Sequence, residues 1–173
     1  VTVSESAGRS VCGSCSISPA RISASATHAG DGGVAIVWSD EYTAFHGAIE
    51  ARGGPSGGDG GFIETSSLDN LQAFGTAHAD APMGKAGTWL LDPHNVTITS
   101  STSGGSFSGG NPDTFTPTAD SAQVLNTTIN TALNNGTTVI ITTGSTGSQA
   151  GDITISADIS KTAGGAAALM LRA

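Results

Sequence analysis

Charge is scarce in this 173-residue chain: Asp, Glu, Lys and Arg together make up 12% of it, against roughly 25% in ordinary soluble domains. Cations are scarcest. Six Lys and Arg face 14 Asp and Glu, for a net charge of −8. Without a cationic cluster there is nothing to neutralise a phosphate backbone or grip an anionic lipid surface, so nucleic acid and electrostatic membrane docking are excluded. No apolar run approaches the roughly 18 residues of a membrane span, so membrane insertion is not expected. The chain opens Val1-Thr2-Val3 with neither the basic region nor the apolar core of a signal peptide. A mature or excised segment of a longer protein is the expectation. Aromatics are only 5%, yet apolar residues reach 37%, too many for a disordered chain. The water-facing surface must then be Ser, Thr, Asn and Gly, a composition suited to a secreted or surface-exposed protein.

Cysteine is nearly absent too. Cys12 and Cys15 form a lone Cys-X-X-Cys. A structural zinc site needs four ligands, and neither a second such pair nor a nearby His pair completes one. A thioredoxin-like role wants a βαβ context that is missing. A local disulfide is the first expectation, two reduced thiols packed in the interior the second, and a redox or metal pair the third.

What the chain does have is repetition. "GDGGVAI" begins at Gly30, "GDGGFIE" at Gly58, "GKAGTWL" at Gly84, and "GSQAGDITIS" near Gly147 repeats the same turn-then-strand order. Between the turns lie short alternating stretches rich in Val, Ile and Thr, the period of β-strands. Spacings of 22 to 28 residues predict a parallel β-solenoid whose equivalent strands stack at about 4.8 Å, in roughly six to eight coils over roughly 30 to 40 Å. Inward Val, Ile, Leu and Ala are expected to line a narrow core, with Ser, Thr and Asn outside. A sandwich or barrel also explains short strands, but not a Gly-Asp-Gly-Gly turn recurring at solenoid spacing.

The fold predicted is therefore all-β, a single solenoid segment over residues 1–173, with two interruptions. Residues 100–120 lack sustained alternation and are expected to form a long surface excursion. In 121–135 the period changes: Leu125, Ile129 and Leu133 fall at i, i+4, i+8. This predicts a short helix flanking the solenoid, capped by Asp120 or Ser121 and ended by Gly136. The chain closes on the uncapped apolar stretch "AAALMLRA", which suggests a fragment of a longer rod or end-to-end stacking.

Taken in order, "GDGGVAIVWSDEYTAFHGAIEARGGPSGGDGGFIETSS", "GKAGTWLLDPHNVTIT" and "LNTTINTALNNGTTVIITTGSTGSQAGDITISADISKTAGGAAALMLRA" resemble the filamentous haemagglutinin-type exoproteins of Gram-negative bacteria. That family includes the high-molecular-weight adhesins exported by two-partner secretion. The resemblance covers roughly residues 20–173 and leaves residues 1–19 unmatched. It implies a right-handed parallel β-helix, export to the cell surface through an outer-membrane transporter partner, and a role in attachment, aggregation or biofilm. It also implies a host- or neighbouring-cell receptor or glycan as partner. Asn95, Asn126 and Asn135 lie in Asn-X-Thr sequons, which adhesins of this kind carry as glycosylation sites.

Chemistry is weighed residue by residue. Asp40, Glu41, Glu50, Glu64, Asp69 and Asp92 are the carboxylates to consider, because solenoids also serve polysaccharide lyases and hydrolases. Glycoside hydrolysis needs two carboxylates facing across a groove, and only Arg52 accompanies these acids in sequence. Turn and coil-edge roles are expected for most, and no residue is assigned a catalytic role. Calcium rolls need Gly-Gly-x-Gly-x-Asp in tandem; Asp31 and Asp59 sit differently, so tight turns with backbone-bonding Asp are expected. His28, His46, His78 and His94 lack the compact spacing of a metal site and are expected at the surface. No metal or cofactor is assigned. Trp38, Tyr42, Phe45 and Phe62 form a candidate sugar platform, although alternation puts Trp38 on the face of Val34 and Ile36, which favours the core. Trp89, Asp92 and Pro93 are read as a structural corner. There Trp89 and Leu91 share the inner face, Pro93 ends a ladder, and Asp92 braces the turn. A non-enzymatic adhesive rod is the leading expectation, with a carbohydrate-binding module beside 100–120 and a polysaccharide-degrading enzyme as rivals.

Overall fold

A computed structural model describes residues 12–17, 20–101, 105–109, 113–117, 122–143 and 150–173. The strands are β1 (Cys12–Ile17), β2 (Arg21–Ser23), β3 (Val34–Phe45), β4 (Ala48–Glu50), β5 (Phe62–Ser67), β6 (Asn70–Ala73), β7 (Thr76–His78), β8 (Thr88–Leu91) and β9 (Val96–Thr99). They continue as β10 (Gly105–Gly109), β11 (Asp113–Pro117), β12 (Ala122–Leu125), β13 (Thr138–Thr142), β14 (Ile153–Ile155) and β15 (Leu169–Arg172), with one helix, α1 (Asn126–Asn134), between β12 and β13. Among the described residues, every strand-to-strand ladder apart from the antiparallel β10–β11 pair is parallel. The chain is a parallel β-solenoid of about five turns, fewer than the six to eight expected from length. The shortfall lies between β8 and β13. Thr88 pairs directly with Thr138, so no described residue from 92 to 137 adds a rung to that face.

Three faces build the solenoid. The first stacks the opening half of β3 with β5, β8, β13 and β15. The second stacks β1, the closing half of β3, β6, β12, β9 and β14. The third holds β2, β4 and β7, and α1 packs next to β7. Because β3 runs unbroken around the corner between the first two faces, they form one continuous sheet. On the second face strand order departs from chain order. β12 lies between β6 and β9, although β9 precedes it in the chain.

That insertion explains where the helix begins. Helix was expected from 121, but Ala122–Leu125 is strand, with Ala122 and Val124 fully buried against Val96, Ile98 and Ala73. Tertiary pairing overrides the helical period until Asn126. The helix has no side-chain cap at its start, and Asp120 and Ser121 lie outside the described residues. Gly136, at φ +94°, ends it as expected. Ile129 and Leu133 are buried, whereas Leu125 belongs to β12. The 100–120 stretch holds a two-stranded antiparallel hairpin, β10–β11, separate from the main sheet.

The core is aliphatic along most of its length, with Trp89 and Phe45 fully buried in an edge-to-face pair at 6.3 Å. Two expectations fail inside it. The inward residues of β3 are Ala35, Val37 and Ser39, while Val34 and Ile36 are 57% and 51% exposed. Trp38 thus shares an outer face. The stretch Val34–Trp38 is apolar at both parities, and the column Ala35, Ile63, Trp89, Val139 needs a small residue beside bulky neighbours. Second, Ser and Thr also point inward. Where β3 bends, the Ser39 hydroxyl bonds those of Thr43 (2.9 Å) and Ser67 (3.1 Å). Thr43 donates to the Ser66 carbonyl (2.8 Å) and Ser67 to that of Glu41 (3.1 Å). Short hydroxyls at the corner thus bond one another and nearby carbonyls, so these inward polar groups are satisfied inside the core.

Candidate functional site

The repeated turns stack into a ladder with its own hydrogen-bond logic. Asp31 accepts the Asp59 N–H at 2.7 Å, and Asp59 accepts the Lys85 N–H at 2.8 Å. In the same rungs Gly32 N–H donates to the Asp59 carbonyl (2.8 Å) and Gly60 N–H to that of Lys85 (2.9 Å). Gly58 sits at φ +123°, and a Cβ there would lie 1.9 Å from the Gly30 carbonyl oxygen. Glycine and aspartate recur because turns this close admit no side chain at one position and need a short acceptor at the next.

Beside this ladder the third face gathers the clearest charged cluster among the described residues. Arg21 pairs with Glu50, and Arg52 Nε donates to Asp80 Oδ1 at 3.1 Å. His78 lies next to Glu50 in register, with Nδ1 3.9 Å from Asp80 and 3.2 Å from the Asn135 amide. Burial lowers the His78 pKa, the Arg52 guanidinium adds to the effect, and Asp80 and Glu50 oppose it. His46, packed edge-to-face on Phe74 at 5.1 Å, is lowered by burial.

Past Lys85 the row of turns breaks. The next connection is the short Asn135–Thr137 link from α1 to β13, while the following coil returns with a longer turn at 164–166. A notch of about 470 Å³ opens between the two longer turns, lined by Asp80, Pro82, Lys85, Asn135, Gly136 and Gly165 among others.

α1 also holds a feature missed at the level of sequence. A helix cannot extend a strand ladder, so its outward asparagines bind the next coil instead. Asn126 Nδ2 donates to the Asp158 carbonyl (2.7 Å), and Asn130 Oδ1 accepts the Ser160 N–H (2.8 Å). Asn134 Oδ1 accepts those of Thr162 and Ala163, both at 2.7 Å. The stripe 126, 130, 134 was visible at i, i+4, i+8, one position along from the apolar stripe.

The other candidates scatter. Asp40 and Glu41 share the β3 bend with Asp69, whose turn stacks on it in register, and all three are exposed. Glu50 is held by Arg21. Glu64 faces outward on the first face. Trp89 points inward and donates its indole N–H to the Thr65 hydroxyl at 2.9 Å. Asp92 and Pro93 lie in the turn from β8 to β9, where exposed Asp92 accepts the Thr142 hydroxyl (2.6 Å) and Pro93 is buried. Asn95 closes the turn by accepting N–H groups of Gly151 (2.9 Å) and Asp152 (2.8 Å). All three sequon asparagines therefore make hydrogen bonds within the fold. Of the supposed sugar platform, Phe45 is core, Trp38 and Phe62 face outward, and Tyr42 is half-buried. Of the histidines, His28 is exposed, His46 and His78 are half-buried, and His94 is buried, contrary to the surface expectation. Cys15 is disulfide-bonded, with Sγ 3.6 Å from the Trp38 carbonyl oxygen; the Cys12 side chain lies outside the described residues. Among the described residues, no three His, Cys, Asp or Glu converge as a metal site would require, and no helix is long and apolar enough to cross a membrane. Known family models give no match to the chain, and neither do curated proteins.

Proposed function

We propose that the chain is a non-enzymatic β-helical segment of a secreted, surface-displayed bacterial exoprotein of the filamentous haemagglutinin type, supporting attachment or aggregation. The observation that carries this reading is the use of its polar side chains. Asp31, Asp59, Asn95, Asn126, Asn130 and Asn134 each bind the backbone of a neighbouring coil, and Arg21–Glu50 and Arg52–Asp80 tie adjacent rungs. Side chains so engaged give a stiff rod. The polar, Ser/Thr/Asn-rich outer surface and the turn repeats quoted above favour an extracellular exoprotein over a degradative enzyme, whose acids would face one another across a groove.

The test is attachment. Beads coated with the purified chain should adhere to epithelial monolayers or to one another, and heat-unfolded protein on identical beads should not. Equal adhesion by both would overturn the reading, and so would release of reducing ends from a polysaccharide panel by the native chain.

A further inference from the structure

The notch stands where the turn ladder loses its next rung, and the last rung is chemically inverted. At the first two rungs an aspartate accepts from the following coil while the next residue's N–H donates to it. At the third rung the aspartate position is Lys85, which lines the notch and is exposed. Ala86 corresponds to Gly32 and Gly60, because Phe62 pairs with Thr88 in the adjoining strands. Its N–H makes no such bond among the described residues, and Ala86 lines the notch too. An ammonium and a backbone donor thus replace the acceptor–donor pair of the earlier rungs, with only the short Asn135–Thr137 link where the next turn would stand.

Charge at the notch runs against the rest of the chain. The only two lysines in a sequence of net charge −8 are Lys85 and Lys161. Lys161 reaches the opposite wall, donating its Nζ to the Gly165 carbonyl at 2.9 Å. Asp80 is the carboxylate in the lining, and Arg52 holds it. The Asn135 amide and the Gly136, Gly164 and Gly165 backbone supply further polar groups. The volume lies within the few hundred Å³ usual for small-ligand sites, but the walls are glycine, alanine, proline and polar groups. They offer no apolar cavity for a peptide side chain.

We infer that this notch binds the carboxylate of an acidic saccharide, a uronate unit, through Lys85 Nζ and the Ala86 N–H, with sugar hydroxyls against Asn135 and the 164–166 turn. A lysine ammonium and the N–H of the next residue, both in residues that line the notch, are the donor types that one carboxylate accepts. The inference names a ligand class for the attachment reading and rests on it only in calling the ligand a surface glycan.

The experiment titrates isotope-labelled chain with trigalacturonate, with a neutral trisaccharide, and with a short polyglutamate peptide, following backbone amide shifts. Trigalacturonate should move Lys85, Ala86, Asn135, Gly136 and 164–166 in one saturable transition that weakens with salt. The neutral sugar should leave these amides in place, and polyglutamate should bind at least about tenfold more weakly. Lys85→Gln should keep the spectrum of a folded chain and lose about tenfold in affinity, the scale of one charge-assisted bond. Equal binding of the neutral sugar, equal affinity of Lys85→Gln, shifts elsewhere in the chain, or no shifts at all would each overturn the inference. Polyglutamate binding as tightly as the uronate would overturn its saccharide assignment. In those cases bead adhesion, if retained, would leave the attachment reading standing; conversely, specific uronate binding by a chain whose beads do not adhere would remove that reading alone.

Discussion

Truncating Trp89 to alanine is the sharpest perturbation of the solenoid core. Trp89 is fully buried, lies edge-to-face with Phe45 at 6.3 Å, and donates its indole N–H to the buried Thr65 hydroxyl at 2.9 Å. Its neighbours in register are Ile63 and Val139, one coil to either side, so the void opens between coils that cannot close independently. Large-to-small changes of this kind cost about 3–5 kcal/mol, and the upper half of that range applies because Thr65 also loses its partner. At about 2–4 °C per kcal/mol for a chain of this size, Tm should fall by roughly 8–20 °C. Trp89→Phe isolates the polar part. It keeps a ring against Phe45 and gives up the N–H, for a loss of about 1–2 kcal/mol. Far-UV circular dichroism during thermal and urea unfolding reads both variants without depending on the remaining Trp38. Trp89→Ala with Tm within about 3 °C of the parent would refute the buried placement, and Trp89→Phe as damaging as alanine would refute the hydrogen-bond argument.

Asn134→Ala removes the acceptor for two backbone N–H groups and should raise amide exchange at Thr162 and Ala163 about tenfold or more, while Asn134→Asp, which keeps the oxygen, should preserve most protection. Asp59→Ala should cost about 1 kcal/mol by orphaning the Lys85 N–H, with Asp59→Asn close to parent in urea midpoint. His46 and His78 both have folded-state pKa values below the ordinary one. As pH falls through the usual histidine range, near 6.5, the unfolded chain gains protons that the folded chain refuses, so stability must drop. Urea midpoints should therefore be higher at pH 7.5 than at pH 5.5, and the difference should shrink in the His46→Gln/His78→Gln double variant; an unchanged difference would contradict the burial assigned to them.

Much of the architecture was legible because the turns are written in the sequence. Gly30, Asp31, Gly58 and Asp59 recur at the coil spacing, and backbone stacked that closely admits little else. The face of β3 was not legible. Val34, Ile36 and Val37 are apolar at both parities, and what decided was volume supplied by Ile63 and Trp89 from other coils. The helix start failed for a similar reason. "AQVL" fits either period, and pairing with Val96, Ile98 and Ala73 decides for strand. The asparagine stripe of α1 was present in the sequence, but its role depends on Ser160, Thr162 and Ala163 passing alongside. Nor did spacing announce the notch, which exists because Asn135–Thr137 is too short to carry the turn row onward.

Coil stacking underlies every functional statement above, and the insertion of β12 between β6 and β9 is its least expected part. Interstrand nuclear Overhauser effects measure it directly in the unmodified chain. Contacts between the backbones of Gln72 and Gln123 and between those of Gln123 and Thr97 are predicted by the register. Gln72 and Thr97, two strand spacings or about 9–10 Å apart, should show none. A Gln72–Thr97 contact with Gln123 absent from both strands would contradict the strand order, and with it the helix placement and the notch.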